Sequence, residues 1–254
     1  MAETECNKQT ARISVVVPAY NAERWISRAI DSILAQDCPG VEVVIVNDGS
    51  SDDTEAVCRT YGDRIRYVAQ ANAGVSAARN AGTAAAAGDL IAFLDADDEY
   101  LPGALPRLRS ALERFPEAGA ASGAHLRNEA GAQRRRPPRG FVLPEGQSVG
   151  LVPDFFDKYR RWPLVCTGSV LVRKAALDEV GLFPVGMKTG EDLNLWTRIG
   201  GRFPWAFVDQ EVVLYNLDPV SSVTLRTPRS DRSCDWVLPE DQMRETISSE
   251  HWVS

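Results

Sequence analysis

The stretch DLIAFLDADDEY, residues 89–100, decides the fold. Its first half, residues 90–94, is a short continuous apolar run, which is typical of a strand buried on both faces of a parallel sheet. Four acidic residues follow in five positions, where this strand runs out: Asp95, Asp97, Asp98 and Glu99. In an open α/β sheet, ligands bind at the carboxyl ends of the strands, so we expect the chemistry here.

Two interpretations of this acidic cluster follow from local sequence. Carboxylates this close repel one another, and the repulsion raises their pKa values unless a cation or hydrogen-bond donors compensate. Mg²⁺ or Mn²⁺ takes oxygen ligands and is commonly held by one or two carboxylates together with substrate phosphates. The same acids also suit a solvated turn before a helix, whose N-terminus favours negative charge. The cluster alone does not decide between a metal site and such a turn.

On the amino-terminal side, apolar runs with strand character alternate with amphipathic patterns of helical spacing. We expect strands at residues 13–17, 41–46 and 65–69 and helices at residues 23–36 and 75–87, with a further helix capped by Ser51 or Asp52 and by Glu55. This alternation predicts a Rossmann-like parallel sheet with right-handed crossovers. The predicted fold class is α/β, with a mostly parallel central sheet flanked by helices.

The second half of the chain is less regular. We expect helices at residues 102–115, 152–159, 174–180 and 189–199, strands at 118–122, 166–173 and 212–217, and a polar excursion at 128–147. Gly181 is expected to close the helix at 174–180. These elements predict one domain over residues 12–217, after a disordered lead at 1–11 and before a lid or flexible tail at 218–254.

Composition and charge limit the classes of partner. The chain has 254 residues, of which 44% are hydrophobic, and a formal net charge of -7, so nucleic acid is not an expected partner. Its five cysteines are scattered and form no CxxC pair, which favours reduced thiols in a cytoplasmic protein. Neither a signal peptide nor a spanning apolar segment is expected, so any membrane contact would be peripheral, at the inner face.

Three further groups of side chains have open interpretations. The basic run at Arg134, Arg135, Arg136 and Arg139 fits a solvated loop or a contact with phosphate or anionic lipid. The aromatic side chains Phe155, Phe156, Tyr159 and Trp162 fit core packing or stacking on a sugar or lipid acceptor. His125 has no evident partner in the sequence and is expected in a loop or on the surface.

Five motifs occur in a fixed order along most of the chain. They are VVVPAYN at 15–21, VNDGSSDDT at 46–54, NAGVSAARNAG at 72–82, FLDADD at 93–98 and GEDLNLWTR at 190–198. Together these motifs resemble the family 2 inverting glycosyltransferases. The resemblance implies the GT-A fold, with a nucleotide-sugar-binding half at residues 12–100 and an acceptor-binding half with a smaller sheet region at residues 101–217.

The resemblance also implies a role for each matching residue. The nucleotide-binding residues would be Pro18, Ala19, Tyr20, Asp48, Arg79, Asp95 and Ala96, with Asp48 accepting a hydrogen bond from the base. Asp95 and Asp97 would hold Mn²⁺ or Mg²⁺ against the donor diphosphate. Asp192 would be the catalytic base. The remaining donor-binding and acceptor-binding residues would be Asp98, Gly168, Ser169, Glu191 and Trp196.

The chemistry of these residue types suits such a reaction. Transfer from a nucleotide sugar, which we expect to be a UDP-sugar, expels a diphosphate whose charge a metal ion neutralises. A carboxylate can take the proton of the acceptor hydroxyl, on a saccharide or a lipid-linked acceptor. Taken locally, Glu191 and Asp192 also fit ordinary acidic capping of a helix.

Two other functions compete with transfer. A nucleotidyltransferase would need a Gly-rich basic loop after the first strand, where this chain has PAYNAE at 18–23. A catalytically silent nucleotide-sugar-binding scaffold would not need Asp95, Asp97 and Asp192 together. One departure from the family concerns the last strand, where many relatives have a basic residue and this chain has Asn216. Arg226 or Arg229 in the tail could substitute for that residue.

Overall fold

A computed structural model of the chain describes residues 12–129, 131–136, 141–155, 165–187 and 189–217. The predicted lead at 1–11, the tail at 218–254 with Arg226 and Arg229, and the second half of the predicted helix at 152–159 lie outside the described residues. Arg139, Phe156, Tyr159 and Trp162 lie outside them as well. The predicted domain boundaries therefore remain predictions.

The described residues form ten strands and six α-helices. The strands are β1 Ile13–Ala19, β2 Val41–Asp48, β3 Arg66–Gln70, β4 Leu90–Phe93, β5 Glu99–Tyr100, β6 Ala120–Glu129, β7 Ala132–Arg136, β8 Val149–Leu151, β9 Val170–Arg173 and β10 Trp205–Leu217. The helices are α1 Ile26–Leu34, α2 Thr54–Arg59, α3 Val75–Ala85, α4 Ala104–Arg114, α5 Lys174–Val180 and α6 Glu191–Arg202. Short 3₁₀ turns occur at Gly62–Arg64 and Thr167–Ser169.

The strands pair into one sheet in the order β3-β2-β1-β4-β9-β6-β10-β5, with β7 on β6 and β8 on β10. The block β3-β2-β1-β4 is parallel. β9 then joins β4 to β6 with antiparallel pairing on both sides, while β6 and β10 run parallel. The predicted α/β class is confirmed. Its parallel block brings the carboxyl ends of β1, β2 and β4 to one edge of the sheet.

Alternate residues of β1 enter two hydrophobic cores on opposite faces of the sheet. Val15 and Val17 pack in the core that contains the buried stripe of α1, whose members are Ile26, Ala29, Ile30 and Ile33. Val16 packs in the other core, beside α3. A strand buried on both faces has to be apolar throughout, which explains the continuous runs of β1 and β4.

The approach of α3 to β1 depends on Gly82. A Cβ atom at this position would lie 2.3 Å from Val16 Cγ1 and 3.1 Å from Val46 Cγ2. We expect Gly82→Ala to lower the free energy of unfolding by ~1–3 kcal/mol, because the helix would have to move off the sheet. Urea unfolding measures this loss. Pairing the change with Val16→Ala should cost less than the sum of the two single changes, and strict additivity would contradict the proposed overlap.

The second half differs from the sequence prediction in three elements. The excursion predicted at 128–147 contains β7, because residues 132–136 pair with β6 and place the basic run on a strand. The last strand begins at Trp205 rather than at 212, and irregular pairing between Val208 and Val213 bends it. The strand predicted at 166–173 begins with the 3₁₀ turn Thr167–Ser169. By contrast, the prediction for α5 and its Gly181 terminus is confirmed.

Two local predictions are also wrong in part. The N-cap of α2 is Asp53, and Glu55 pairs with Arg59 one turn on instead of completing a capping box. Asp52 does accept the Thr54 backbone N–H at 3.1 Å. His125 lies inside β6, half-buried against Tyr215, rather than in a loop. In the part of the chain that the structure describes, no helix has the length and apolar character needed to cross a membrane.

Candidate functional site

The loops after β1 and β2 are joined at the carboxyl edge of the sheet. Asn21, in a left-handed conformation with φ 49°, donates its backbone N–H to Ser50 Oγ at 3.0 Å. This contact fixes the loop that carries the predicted nucleotide-binding residues. Ala19 is buried, Pro18 is half-buried, and Tyr20 is 56% exposed. An aromatic ring held in solvent beside this edge is available to stack on a base.

Asp48 closes the end of β2 and holds the next loop. Its Oδ1 accepts the Gln70 Nε2 amide at 2.7 Å and the Ala73 N–H at 2.9 Å, and its Oδ2 accepts the Gly74 N–H at 2.9 Å. A carboxylate has about four acceptor sites, so roughly one remains for a ligand. The structure therefore gives Asp48 a second task, which is to shape residues 70–74 before α3.

Arg79 joins the donor edge to the start of α6. Its Nη2 donates to Asp95 Oδ1 and its Nη1 to Glu191 Oε1, both at 2.8 Å, and its side chain is only 4% exposed. The guanidinium also lies 5.1 Å from the centre of the Phe183 ring. Burial and the charge of Asp192 raise the pKa of Glu191, whereas Arg79 opposes that rise. Two sequence motifs 112 residues apart thus meet through one guanidinium.

The acidic residues after β4 form a tight turn, in which the Asp98 N–H donates to the Asp95 carbonyl at 3.0 Å. Asp98 is 1% exposed. Burial and the nearby Asp97 and Asp95 carboxylates raise the pKa of Asp98 well above its ordinary value. Asp95 and Asp97 remain half-buried, as does Ala96, whose side chain packs against the core. Both interpretations of the cluster fit this geometry. The cluster forms a turn, and the charges of its closely spaced carboxylates are only partly compensated.

Asn216 braces this turn from β10. Its backbone N–H donates to Asp98 Oδ1 at 2.8 Å, and its Nδ2 donates to the Asp97 carbonyl at 2.8 Å and to Glu99 Oε1 at 3.2 Å. Its Oδ1 accepts from Asn128 Nδ2 at 2.8 Å. In the sequence, Asn216 stood out only because it replaces the basic residue that many relatives have in the last strand. In the structure its side chain and backbone N–H fix the geometry of the acidic turn.

We expect Asn216→Leu to lower the free energy of unfolding by ~1–3 kcal/mol, because Asn128 and the Asp97 carbonyl would lose buried partners. Thermal or urea unfolding measures this loss. The matched variants are Asn128→Leu and the double change. The double change should cost clearly less than the sum of the singles, since both remove the same bond, and an additive cycle would contradict the brace.

Asp192 lies in the first turn of α6 and is held by a residue that sequence reasoning missed. Thr167 donates its hydroxyl to Asp192 Oδ2 at 2.9 Å, while the Leu193 N–H donates to Asp192 Oδ1 at 2.7 Å. Both carboxylate oxygens are therefore oriented. The signal available in sequence was the Thr-Gly-Ser tripeptide at 167–169, of which only the last two residues were singled out.

Three residues predicted to bind the donor or the acceptor are buried in the structure. Trp196 has no exposed surface and packs among Phe93, Phe183 and Trp205, so its role is to support α6 rather than to touch a donor or acceptor. Ser169 is likewise fully buried, and its hydroxyl donates to the Cys166 carbonyl at 2.8 Å. Its neighbour Gly168 allows close packing, since a Cβ there would lie 3.0 Å from Val213 Cγ2. These last two residues shape the turn that presents Thr167.

A divalent cation fits this edge only if a substrate supplies some of its ligands. No three His, Cys, Asp or Glu side chains converge on a ready-made metal site within the described ranges. The Asp95–Asp98 turn does supply hard carboxylate oxygens, and burial together with the Asp97 and Asp95 carboxylates raises the pKa of Asp98. One or two such carboxylates completed by phosphate oxygens form the usual Mg²⁺ arrangement. The donor set is thus compatible with a metal bound together with a diphosphate.

Comparisons with known proteins give a consistent family. The model of "Glycosyl transferase family 2" matches residues 14–181. An uncharacterised glycosyltransferase of Rickettsia felis is 32% identical over 192 residues, which cover 74% of this chain and 31% of that protein. An uncharacterised glycosyltransferase of Rickettsia conorii is 31% identical over 207 residues, covering 80% of this chain and 33% of that protein.

The fold is similar to that of a solved structure. S. aureus TarS 1-349, in a complex with UDP-GlcNAc, superposes with a TM-score of 0.67 at 19% identity, covering 85% of this chain and 61% of that one. The match shows a shared fold. This chain thus spans about a third of each of the two Rickettsia relatives and 61% of the TarS chain. Because the family model covers about two thirds of its residues, including four of the five ordered motifs in full, the chain belongs to glycosyl transferase family 2.

Proposed function

We propose that this chain is a metal-dependent inverting glycosyltransferase that moves a sugar from a UDP-sugar to a hydroxyl of a saccharide or lipid-linked acceptor. The observation that carries the proposal is the bridge from Asp95 through Arg79 to Glu191, both bonds being 2.8 Å. This bridge sets the acidic turn beside the first turn of α6, where Asp192 lies. The proposed donor-binding edge and the candidate base are thus connected through Arg79 and Glu191.

The donor would lie across the carboxyl ends of β1, β2 and β4. Exposed Tyr20 is placed to stack on the base, and the remaining acceptor capacity of Asp48 would receive the N–H of uracil. TarS, which has the same fold, binds UDP and UDP-GlcNAc, and we carry the choice of nucleotide over from it. Arg79 already pairs with the carboxylates of Asp95 and Glu191, so it would act by positioning Asp95 rather than by binding phosphate.

Mn²⁺ or Mg²⁺ would be held by Asp97 and by the free oxygen of Asp95, and when bound it supplies neutralisation of the diphosphate charge. The protein contributes the geometry of this turn. Asn216 fixes the Asp97 carbonyl and the Asp98 carboxylate, so that little reorganisation is needed when the donor arrives.

On the other side of the reaction, Asp192 would accept the proton of the acceptor hydroxyl as that oxygen attacks the anomeric carbon. The bond from the anomeric carbon to the diphosphate oxygen breaks as the new glycosidic bond forms, which inverts the configuration in one displacement. Thr167 holds the base in one orientation through its 2.9 Å bond. A positioned carboxylate of this kind typically contributes ~10²- to 10⁴-fold in rate.

We place this activity in the synthesis of surface polysaccharide or glycoconjugate, in the cytoplasm or at the inner face of the membrane. Both parts of this assignment belong to the proposal.

The metal assignment is tested by UDP binding. We expect UDP affinity, measured calorimetrically with Mn²⁺, to fall at least ~10-fold when EDTA is added or when Asp97→Ala removes a ligand. CDP is the matched control ligand, because it lacks the base N–H that Asp48 would accept, and it should bind more weakly than UDP. Unchanged UDP affinity under both treatments would refute the metal assignment, and equal UDP and CDP affinities would refute the role of Asp48.

A further inference from the structure

Basic and aromatic side chains share one face of β6, β7 and β10. In the antiparallel pair, His125 lies opposite Arg136, and Arg127 lies opposite Arg134. In the parallel pair, Tyr215 lies opposite Arg127. Alternate residues of a strand point to the same face, so these five side chains form one surface, which we call the cationic strip.

Three sets of contacts show which residues share this face and which lie on the other. The His125 and Tyr215 rings meet edge to face with centroids 6.4 Å apart. The intervening residues point the other way, because Asn128 and Asn216 bond to each other beneath the acidic turn. Arg135 also lies on that opposite face, where it pairs with the strand β10 acids Asp209 and Glu211.

The strip begins beside the turn that holds the candidate base. Val213, the register partner of His125, lies against Gly168, whose preceding residue Thr167 bonds to Asp192. Neighbouring strands are about 4.8 Å apart, so Arg136, two strands from Val213, lies ~10 Å away across the sheet. The nucleotide edge is on β1 and β2, beyond β4 and β9 in the strand order. The strip therefore extends on the acceptor side.

The charge of the strip is poorly compensated. Arg127 pairs with Glu129, whereas Arg134 and Arg136 make no ion pair with any described residue. The Nε–H groups of Arg127 and Arg136 are buried and lack hydrogen-bond partners within the described structure. Burial and these two guanidinium groups lower the pKa of His125 to about 4. In a chain of net charge -7, such a surface concentrates positive charge that described acidic side chains only partly offset.

We propose that the cationic strip binds a phosphate group carried by the acceptor and so places the acceptor hydroxyl at Asp192. The inference rests on the proposed function and adds a substrate class to it. Guanidinium groups match phosphate oxygens in a bidentate fashion, and a phosphate would supply the acceptors that the strip lacks. Half-buried Tyr215 provides apolar surface beside it for the neighbouring part of the acceptor.

The test measures binding of phosphate esters to the full chain with UDP and Mn²⁺ saturating the donor edge. Farnesyl phosphate represents a lipid-linked acceptor and glycerol 3-phosphate a polyol phosphate, while farnesol and glycerol are their neutral counterparts. At least one phosphate ester should bind better than its neutral counterpart. Arg136→Gln should weaken that binding ~10-fold, the equivalent of one charge-assisted hydrogen bond.

Two further variants keep the test decisive. Arg134→Gln, at an exposed position that should not disturb folding, is expected to weaken phosphate binding in the same direction. Arg135→Gln removes an equal charge from the opposite face and should change binding less than about twofold, since surface ion pairs contribute little to neighbouring sites.

The inference is overturned if neither phosphate ester binds better than its neutral counterpart, or if Arg135→Gln and Arg136→Gln weaken binding equally. It is also overturned if only phosphatidylglycerol vesicles bind, which would make the strip a membrane contact. Failure of the proposed function would show separately, as a parent protein that binds UDP but releases none from any UDP-sugar.

Discussion

Asp192→Asn is expected to lower sugar transfer by at least ~10² while UDP binding and metal binding stay within a few-fold of the parent. The asparagine keeps the shape of the side chain and can still bond to Thr167, but it cannot take up a proton. An effect confined to proton removal belongs to the transition state, so it should appear in turnover rather than in affinity. Steady-state transfer and UDP titration, measured on the same preparation, separate the two quantities.

Three control variants accompany this experiment. Thr167→Val removes the 2.9 Å bond to Asp192 and should lower transfer by a smaller factor, ~10-fold, with the base still present. Asp178→Asn, at an exposed carboxylate of α5, should change nothing. Glu191→Gln should act mainly on stability, because Glu191 is committed to Arg79. Parental transfer by Asp192→Asn together with an inactive Glu191→Gln would mean that the other carboxylate is the base.

Arg79→Gln is expected to cost ~3–5 kcal/mol of unfolding free energy near neutral pH. The change leaves Asp95 and Glu191 facing each other without their shared cation, and the Arg79 site is almost fully buried. Urea unfolding measures the loss. Arg59→Gln is the matched control, because its pair with Glu55 is exposed on α2 and should be worth less than about 0.5 kcal/mol.

The pH dependence of the Arg79 variant has a definite sign. The pKa of Glu191 in the folded protein is already raised, and without Arg79 it should rise further. A carboxyl whose folded pKa exceeds its unfolded value stabilises the fold below the unfolded pKa, and this contribution is lost as the pH rises through the folded pKa. The deficit of Arg79→Gln relative to the parent should therefore shrink as the pH falls from neutral toward 5. A deficit independent of pH would contradict the ionic origin of the effect.

The parallel half of the fold was predictable because its signals are local. Runs such as residues 13–17 and 90–94 are apolar on both faces, and few structures other than a covered parallel strand accommodate them. The observed ends of these strands and helices differ from the predicted ends by a few residues at most. The second half was harder, since β7 is a polar strand that pairs along one side only with β6 and carries the basic run. Its sequence has no hydrophobic alternation to indicate a strand.

The candidate site was likewise predictable only in part. Asp95, Asp97 and Asp192 could be named from motifs, but the contacts that organise them join residues far apart in sequence. Asn216 reaches Asp98 across 118 positions, and Arg79 reaches Glu191 across 112. Trp196 was misassigned for a related reason, because a tryptophan beside a motif fits a core as well as a sugar site. Only tertiary packing separates these alternatives.

The central claim is that the chain transfers sugar from a UDP-sugar with inversion, and stereochemical analysis of turnover tests it most directly. The full chain is incubated with a panel of UDP-sugars and Mn²⁺, UDP release is followed, and the anomeric configuration of the released or transferred sugar is read by proton NMR before it mutarotates. We predict metal-dependent UDP release from at least one donor, with the configuration opposite to that of the donor. Retained configuration, or no UDP release by folded protein that binds UDP, would contradict the account.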